Sequence, residues 1–186
     1  FGHYTDCWKR TYFSGNNPEW GASLMNGAWA CAHLVDSYRF TGDREDLKKS
    51  LPILESNARF IMSWFEEDDQ GHYLSGPGVS PETGFYAPDG TGPNVLSYVS
   101  NGTSHDQLLG RESLRNYIYA CGELGIRTPT LVKAVQFLKK IPQPAIGSDG
   151  RVLEWRQPFE EMQKGHRHIS HLYGLFPGTE WDVLNT

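Results

Sequence analysis

The chain has 186 residues, of which 38% are hydrophobic and 13% aromatic, and it carries a formal net charge of -5 at neutral pH. This apolar fraction is enough for a packed core, and no run of about 18 apolar residues is present that could cross a membrane. Lysine and arginine are scattered along the sequence, which excludes the basic stripe typical of proteins that bind nucleic acid or anionic membranes. The composition therefore favours a neutral or cationic partner.

The two ends of the sequence indicate a piece of a larger domain. Phe1 is not an initiator residue, and no charged and apolar signal segment precedes it. The sequence stops soon after Pro177-Gly178 without a closing element. We therefore expect the chain to be truncated at both ends.

Apolar residues that recur every three or four positions predict four helices, over about residues 20–40, 44–66, 104–124 and 128–140. Gly42 and Asp43 separate the first two, because a glycine often ends a helix and an aspartate caps the next one. Pro52 lies inside the second apolar stripe and is expected to kink or divide that helix. Two helices joined by so tight a turn predict a helical hairpin.

Long loops separate the predicted helical hairpins. Residues 67–104 are rich in glycine and proline but also contain several aromatic residues, and a connection of this length is usually functional. Short strands are expected there at 73–74 and 94–99, and a short helix at about 167–175. Because no buried strand of ordinary length is predicted, we expect an all-α fold, in which helical hairpins form part of an α/α toroid with functional loops on one rim.

One loop carboxylate, Glu82, lies in the segment Val79–Thr83, which is bounded by glycines and surrounded by aromatic residues. Partial shielding by apolar rings disfavours the charged form of a carboxyl group, so Glu82 is a candidate general acid. A solvated loop glutamate is the alternative interpretation.

A second segment, residues 146–178, is dense in hydrogen-bonding and stacking groups. Glu154, Glu160 and Glu161 lie within a few residues of Trp155. One protonated and one ionised carboxylate are what glycoside hydrolysis requires, and aromatic rings suit the apolar faces of sugars. Glu154, flanked by a leucine and Trp155, is the better candidate for a buried role, whereas adjacent glutamates such as the other two are more often solvated.

Three histidines in the second segment, His166, His168 and His171, allow a zinc interpretation, because histidines two or three residues apart can converge on one ion. Their spacing is similar to the H-x-H-x-D-H motif of metallo-β-lactamase-type hydrolases, but Ser170 stands where that motif needs its aspartate. Histidines that hydrogen-bond a polar substrate are therefore favoured, and a metallohydrolase is the weaker alternative. His105 either reaches the same rim or belongs to a helix cap.

Four stretches resemble, in the same order, the glycoside hydrolases of family 95, which are inverting α-L-fucosidases with some α-L-galactosidases. The stretches are MNGAWACAHLVDSYRFTGD, VSPET, IGSDGRVLEW and GHRHISHLYGLFPG, within about residues 20–178. The resemblance implies a catalytic domain that is an (α/α)6 barrel, of which residues 1–186 are one part, and flanking β-domains that are absent from this sequence. It also implies that Glu82 is the general acid and that no metal and no cofactor takes part.

The same resemblance assigns substrate-binding residues. It moves Trp29, which composition alone would place in a core, toward the fucose pocket, together with the cluster from His166 to His171. We therefore expect substrate-binding roles for six residues: Trp29, His105, Trp155, His166, Arg167 and His168.

Two departures from the family concern the base side of the site. The family activates water with a carboxylate and a pair of asparagines in an upstream Asn-x-x-Met-Asn-Tyr-Trp-like stretch, and this chain contains no such stretch. Many members have an acid three residues after their Glu-Trp pair, where this chain has Pro158. We expect Glu154 to carry the base-side role, with Glu160 as the alternative.

The predicted function is inverting hydrolysis of terminal α-L-fucosidic bonds in oligosaccharides or glycans, by a protein that is secreted, periplasmic or at the cell surface. The expected partner is a fucosylated or L-galactosylated oligosaccharide, with no nucleic acid and no membrane. An α-L-galactosidase and a non-catalytic carbohydrate-binding remnant are the alternatives. We expect this chain alone to be inactive and to fold poorly, because part of a toroid leaves helix faces uncovered.

Overall fold

The computed structural model describes residues 23–88 and 93–182, together with two short paired strands, β1 (Tyr4–Thr5) and β2 (Thr11–Tyr12). The chain divides into two compact units. The helical unit comprises residues 25–75 and 109–142, and the loop unit comprises the described parts of residues 1–24, 76–108 and 143–186.

The helical unit contains α1 (Asn26–Thr41), α2 (Arg44–Trp64), most of α3 (Ser104–Leu124), α4 (Pro129–Leu138) and a small antiparallel sheet of β3 (Phe65–Glu67) and β4 (Tyr73–Ser75). Its core includes apolar α2 residues spaced seven, four and three apart, which places them on one helix face. These residues are almost completely buried: Leu47, Leu54, Ala58 and Ile61. The predicted apolar stripe is therefore the buried face of this helix.

The helix ends follow the capping residues that the sequence predicts. Gly42 adopts a left-handed conformation with φ 69° and donates its N–H to the Tyr38 carbonyl, which ends α1. The Asp43 carboxylate accepts the first free N–H groups of α2, and the Thr128 hydroxyl caps α4 by accepting the Leu131 N–H. Each cap satisfies backbone groups that a helix end leaves unpaired. Helices α1 and α2 also pack against each other, which confirms the predicted hairpin.

Two helix predictions differ from the structure. Helix α2 runs continuously through Pro52, so the helix is not divided there, and the alternative of a kink stays a prediction. The helix expected over about 167–175 is only a three-residue 3-10 helix, Ser170–Leu172, and the residue before it, Ile169, provides no side-chain cap. Gly174 and Pro177 follow closely, and neither residue type favours continuation of a helix.

Besides the β1–β2 pair, the described part of the loop unit contains two antiparallel sheets of short strands and the first turn of α3. Strand β5 (Gly78–Val79) pairs with β8 (Val99–Ser100), and β6 (Phe85–Ala87) lies between β7 (Val95–Ser97) and β9 (Glu160–Glu161). The chain is therefore helical with small sheets, and the expectation of an all-α fold is correct only for the helices. Strands of two or three residues are too short to show an alternating pattern in the sequence.

Membrane-spanning helices are absent from the part of the chain that the structure describes. None of its helices combines sufficient length with sufficient hydropathy to cross a bilayer.

Candidate active site

Glu82 lies in a tight turn, residues Ser80–Thr83, which we call the acid turn. The Thr83 N–H donates a 2.9 Å hydrogen bond to the Ser80 carbonyl and closes the turn. The Ser80 side chain is completely buried, and its hydroxyl donates a 2.5 Å hydrogen bond to Oε1 of Glu154. The Ser170 hydroxyl donates to the Pro81 carbonyl. The acid turn is therefore attached at two points to the second sequence segment.

The Glu82 carboxylate is only partly exposed and meets two basic side chains on one of its oxygens. Arg167 Nη2 donates a 3.2 Å hydrogen bond to Oε2, and His168 Nδ1 lies 3.7 Å from the same atom. Oε1 has no hydrogen-bond partner among the described residues. Arg167 and His168 thus orient the carboxyl group through Oε2 alone.

Glu154 is a more enclosed carboxylate, with a side chain that is 11% exposed. Its Oε1 accepts the Ser80 hydroxyl, and its Oε2 lies 3.1 Å from Nδ1 of His171, an ion pair when the ring is protonated. The backbone around it is fixed as well, because the Ser104 N–H donates to the Glu154 carbonyl at 3.0 Å and the Ser104 hydroxyl donates to the Leu153 carbonyl. The start of α3 therefore anchors the segment that carries Glu154.

A cavity of about 400 Å³ lies beside Glu154. Glu154 lines it, and so do several predicted site residues and one neighbour of Glu82: Thr83, Trp155, His166, His168 and His171. Neither Glu82 nor Arg167 is among the lining residues. The cavity thus brings much of the predicted substrate-binding set to one surface in the loop unit.

Trp155 forms part of the cavity wall and is almost completely buried. Its ring lies 4.9 Å from the ring of Phe85, which in turn stacks on Phe159 at 4.4 Å. Its Nε1 is buried without a hydrogen-bond partner in the described part of the chain. Trp155 is therefore held by aromatic packing, and its expected contact with a sugar stays a prediction.

His166 and His168 contact each other at the cavity surface. The backbone N–H of His168 donates to Nδ1 of His166 at 3.1 Å. The two rings meet edge to face, with their centroids 5.0 Å apart. Nδ1 of His168 faces Glu82, whereas Nδ1 of His171 faces Glu154. Because the three histidines point to different partners, the described residues contain no group of metal-ligating side chains that could hold an ion.

Besides Glu82 and Arg167, two further predicted residues do not line the cavity. His105, in the first turn of α3, is buried and packs edge-on against Tyr173, with its Nδ1 3.5 Å from the Asp106 carboxylate. Trp29 lies on α1 in the helical unit and is 41% exposed. The substrate-binding roles expected for both stay predictions.

The structure also reveals polar groups that the sequence reasoning missed. Arg151 donates to the Asp149 carboxylate at 2.7 Å and lies 3.4 Å from Glu161, and these side chains line the cavity. Hydrogen bonds from the Arg151 backbone and side chain lower the pKa of Asp149, and Asp149 in turn raises the pKa of Arg151. Ser80 and Ser170 were also missed. The available signal for Ser80 was its position, as a polar residue directly after the apolar Val79, which is buried in the structure.

Comparison with known proteins identifies the family. Residues 1–186 match the family described as the glycosyl hydrolase family 95 catalytic domain. The chain is 36% identical over 176 residues to a protein of Arabidopsis thaliana named alpha-L-fucosidase 2, an alignment that covers 94% of this chain and 20% of that protein. It is 26% identical over 166 residues to a probable alpha-fucosidase A of Aspergillus niger, covering 86% of this chain and 20% of that protein.

Both alignments cover the same fraction of the relative's length. The chain spans about 20% of the length of these curated relatives. The family match, in contrast, extends over every residue of the chain. The chain therefore belongs to the glycosyl hydrolase family 95 catalytic domain.

Proposed function

We propose that the protein containing this chain hydrolyses terminal α-L-fucosidic bonds with inversion of configuration at the anomeric carbon. The names of both relatives support this activity, and family membership supports a glycoside substrate. The observation that carries the proposal is the acid turn, which presents Glu82 with Oε2 held by Arg167 and Oε1 unoccupied by any described residue.

In this proposal Glu82 is the general acid. Its Oε1 transfers a proton to the glycosidic oxygen while the bond between that oxygen and the anomeric carbon breaks. A water molecule attacks the opposite face of the sugar and loses a proton to a second carboxylate. In inverting enzymes the two carboxyl groups stand about 6.5 to 9.5 Å apart, which leaves room for the water. The product is β-L-fucose.

Glu154 was predicted from the sequence to act on the base side. Ser80 and His171 already contact both of its carboxylate oxygens. A base needs an oxygen that faces the attacking water, so these contacts suit a group that holds the acid turn better than one that accepts a proton.

We further propose that the chain is part of an (α/α)6 barrel, because the α1–α2 hairpin has the short antiparallel connection from which such toroids are built. We also propose that the protein is secreted, periplasmic or at the cell surface, where it would meet glycan substrates.

The activity is tested by proton NMR of the sugar released when the full-length protein is given 2'-fucosyllactose. Early appearance of β-L-fucose, followed by slow mutarotation, is the expected result. Early α-L-fucose would contradict inversion. Release of sugar from an α-L-galactoside but not from 2'-fucosyllactose would replace fucose, whose C6 is a methyl group, with L-galactose, whose C6 carries a hydroxyl.

A further inference from the structure

We propose that Ser80, Glu154 and His171 form a positioning network that holds the acid turn where Glu82 can reach the glycosidic oxygen. The inference rests on the proposed role of Glu82, because a positioning group acts through the acid and does not touch the reacting atoms. It gives Glu154 a role other than the base role predicted from the sequence.

The first connection of the network is the bond between Ser80 and Glu154. Ser80 has no exposed surface, and its hydroxyl donates to Oε1 of Glu154 at 2.5 Å. A hydroxyl bond to an ionised carboxylate is roughly twice as strong as a bond between neutral groups. Because the Thr83 N–H closes the acid turn on the Ser80 carbonyl, Glu82 lies inside a turn whose first residue is fastened to Glu154.

The second connection comes from the short 3-10 helix Ser170–Leu172. Its first residue, Ser170, donates its hydroxyl to the Pro81 carbonyl in the acid turn. The next residue, His171, places Nδ1 3.1 Å from Oε2 of Glu154. The acid turn, Glu154 and the 3-10 helix therefore contact one another pairwise. A closed set of three contacts restricts the rotation of each member more than a single bond does.

This arrangement predicts a specific kind of catalytic defect. A misplacement of about 1 Å in a reacting group can cost about 100-fold in rate, even when binding is unaffected. Loss of the network should therefore lower kcat for substrates whose leaving group needs a proton, and should change KM little. For a substrate whose leaving group departs without a proton, kcat should stay near the wild-type value.

The test compares Glu154→Gln, Glu154→Ala and Ser80→Ala in the full-length protein. The glutamine carbonyl can accept the Ser80 hydroxyl and its NH2 group can donate to His171, so it preserves the network without the charge. An amide cannot serve as a base. We expect Glu154→Gln to keep kcat on 2'-fucosyllactose within about threefold, and both alanine variants to lose about 10- to 100-fold. Glutamine and alanine variants that are equally inactive would overturn the proposal.

A second substrate separates positioning from base catalysis. Fluoride leaves α-L-fucosyl fluoride without a proton, whereas attack by water still needs the base. We expect Ser80→Ala and Glu154→Ala to hydrolyse the fluoride at near wild-type rates, measured with a fluoride electrode. Loss of fluoride release in Glu154→Ala would make Glu154 the base. Glu66→Gln, which changes an exposed glutamate in the helical unit, is the matched control.

A structural readout keeps this inference distinct from the proposed function. Crystal structures of the wild-type and Ser80→Ala proteins report the position of the Glu82 carboxylate whether or not 2'-fucosyllactose is hydrolysed. We expect the acid turn of the variant to be displaced or to adopt more than one conformation. An unchanged turn would overturn the positioning role, while an inactive wild-type protein would overturn only the activity.

Discussion

The Ser80 hydroxyl donates a 2.5 Å hydrogen bond to the carboxylate of Glu154, a residue 74 positions further along the chain. Ser80 belongs to the VSPET stretch and Glu154 to the IGSDGRVLEW stretch. Two stretches that resemble the family separately are therefore joined by one short buried contact. This contact ties the turn that carries the proposed acid to the wall of the cavity.

Two glycines of helix α3 predict opposite effects of the same substitution. A Cβ at Gly110 would overlap Cζ of the buried Phe65 ring and lie 3.0 Å from its Cε2, whereas a Cβ at Gly122 would meet nothing within 4 Å. We expect Gly110→Ala to destabilise the protein by about 1 to 3 kcal/mol through overpacking. Gly122→Ala should stabilise it by about 0.5 to 1 kcal/mol, because alanine favours a helix.

Thermal unfolding of the two full-length variants measures this difference, and each serves as the control for the other. A melting temperature below the wild-type value for Gly110→Ala and above it for Gly122→Ala is expected. A Gly110→Ala protein as stable as wild type would contradict the close packing of α3 on Phe65.

The ion pair between Lys140 and Glu67 predicts a pH-dependent contribution to stability. A 2.7 Å hydrogen bond from Lys140 lowers the pKa of Glu67, and the same bond raises the pKa of Lys140. The carboxylate therefore stabilises the fold above its ordinary pKa of 4.5 and ceases to do so as pH falls through its lowered value. The ammonium stabilises the fold below its ordinary pKa of 10.5, and this is lost as pH rises through the raised value.

The variant Lys140→Met tests the pair, with its neighbour Lys139→Met as the control. Both partners are about half exposed, so the effect should be small and should weaken further in high salt. We expect Lys140→Met to melt slightly below wild type at neutral pH and the gap to close as the solution is made acidic. A gap that is constant with pH would show that packing of the lysine chain, rather than its charge, is responsible.

From the orientation of the three histidines that line the cavity, we predict that hydrolysis does not require a metal ion. Nδ1 of His168 faces Glu82, Nδ1 of His171 faces Glu154, and Nδ1 of His166 accepts the backbone N–H of His168, so the three Nδ1 atoms have different partners. Dialysis of the full-length protein against a chelator should leave fucoside hydrolysis unchanged, and elemental analysis should find no stoichiometric zinc. Activity that is lost on dialysis and restored by zinc would contradict this prediction.

The sequence predicted the parts of the fold that depend on local hydrogen bonds. Gly42, Asp43 and Thr128 end or begin helices through contacts within three or four residues, and each was recognised from residue type alone. Strand β9 could not be recognised in this way, because its two residues, Glu160 and Glu161, pair with Tyr86 and Phe85 from a distant part of the chain. The two glutamates form a sheet edge, and Glu160 is exposed there, as expected for a solvated residue.

The candidate site was predictable in its residue types and not in its connections. Glu82, Glu154 and the histidines stand in stretches dense in polar groups, and that density by itself indicates chemistry. Nothing in the sequence indicated that Ser80 bonds to Glu154 or that Arg167 bonds to Glu82, because these contacts span 74 and 85 residues. Tertiary packing alone determines such pairs.

The proposed proton transfer from Glu82 to the leaving oxygen is tested by giving two substrates to the full-length Glu82→Gln variant. A glutamine cannot donate this proton, so kcat on 2'-fucosyllactose should fall by about 100- to 10,000-fold. Hydrolysis of α-L-fucosyl fluoride, whose leaving group needs no proton, should stay near the wild-type rate, and Glu66→Gln should leave both rates unchanged. Wild-type turnover of 2'-fucosyllactose by Glu82→Gln would show that Glu82 is not the general acid.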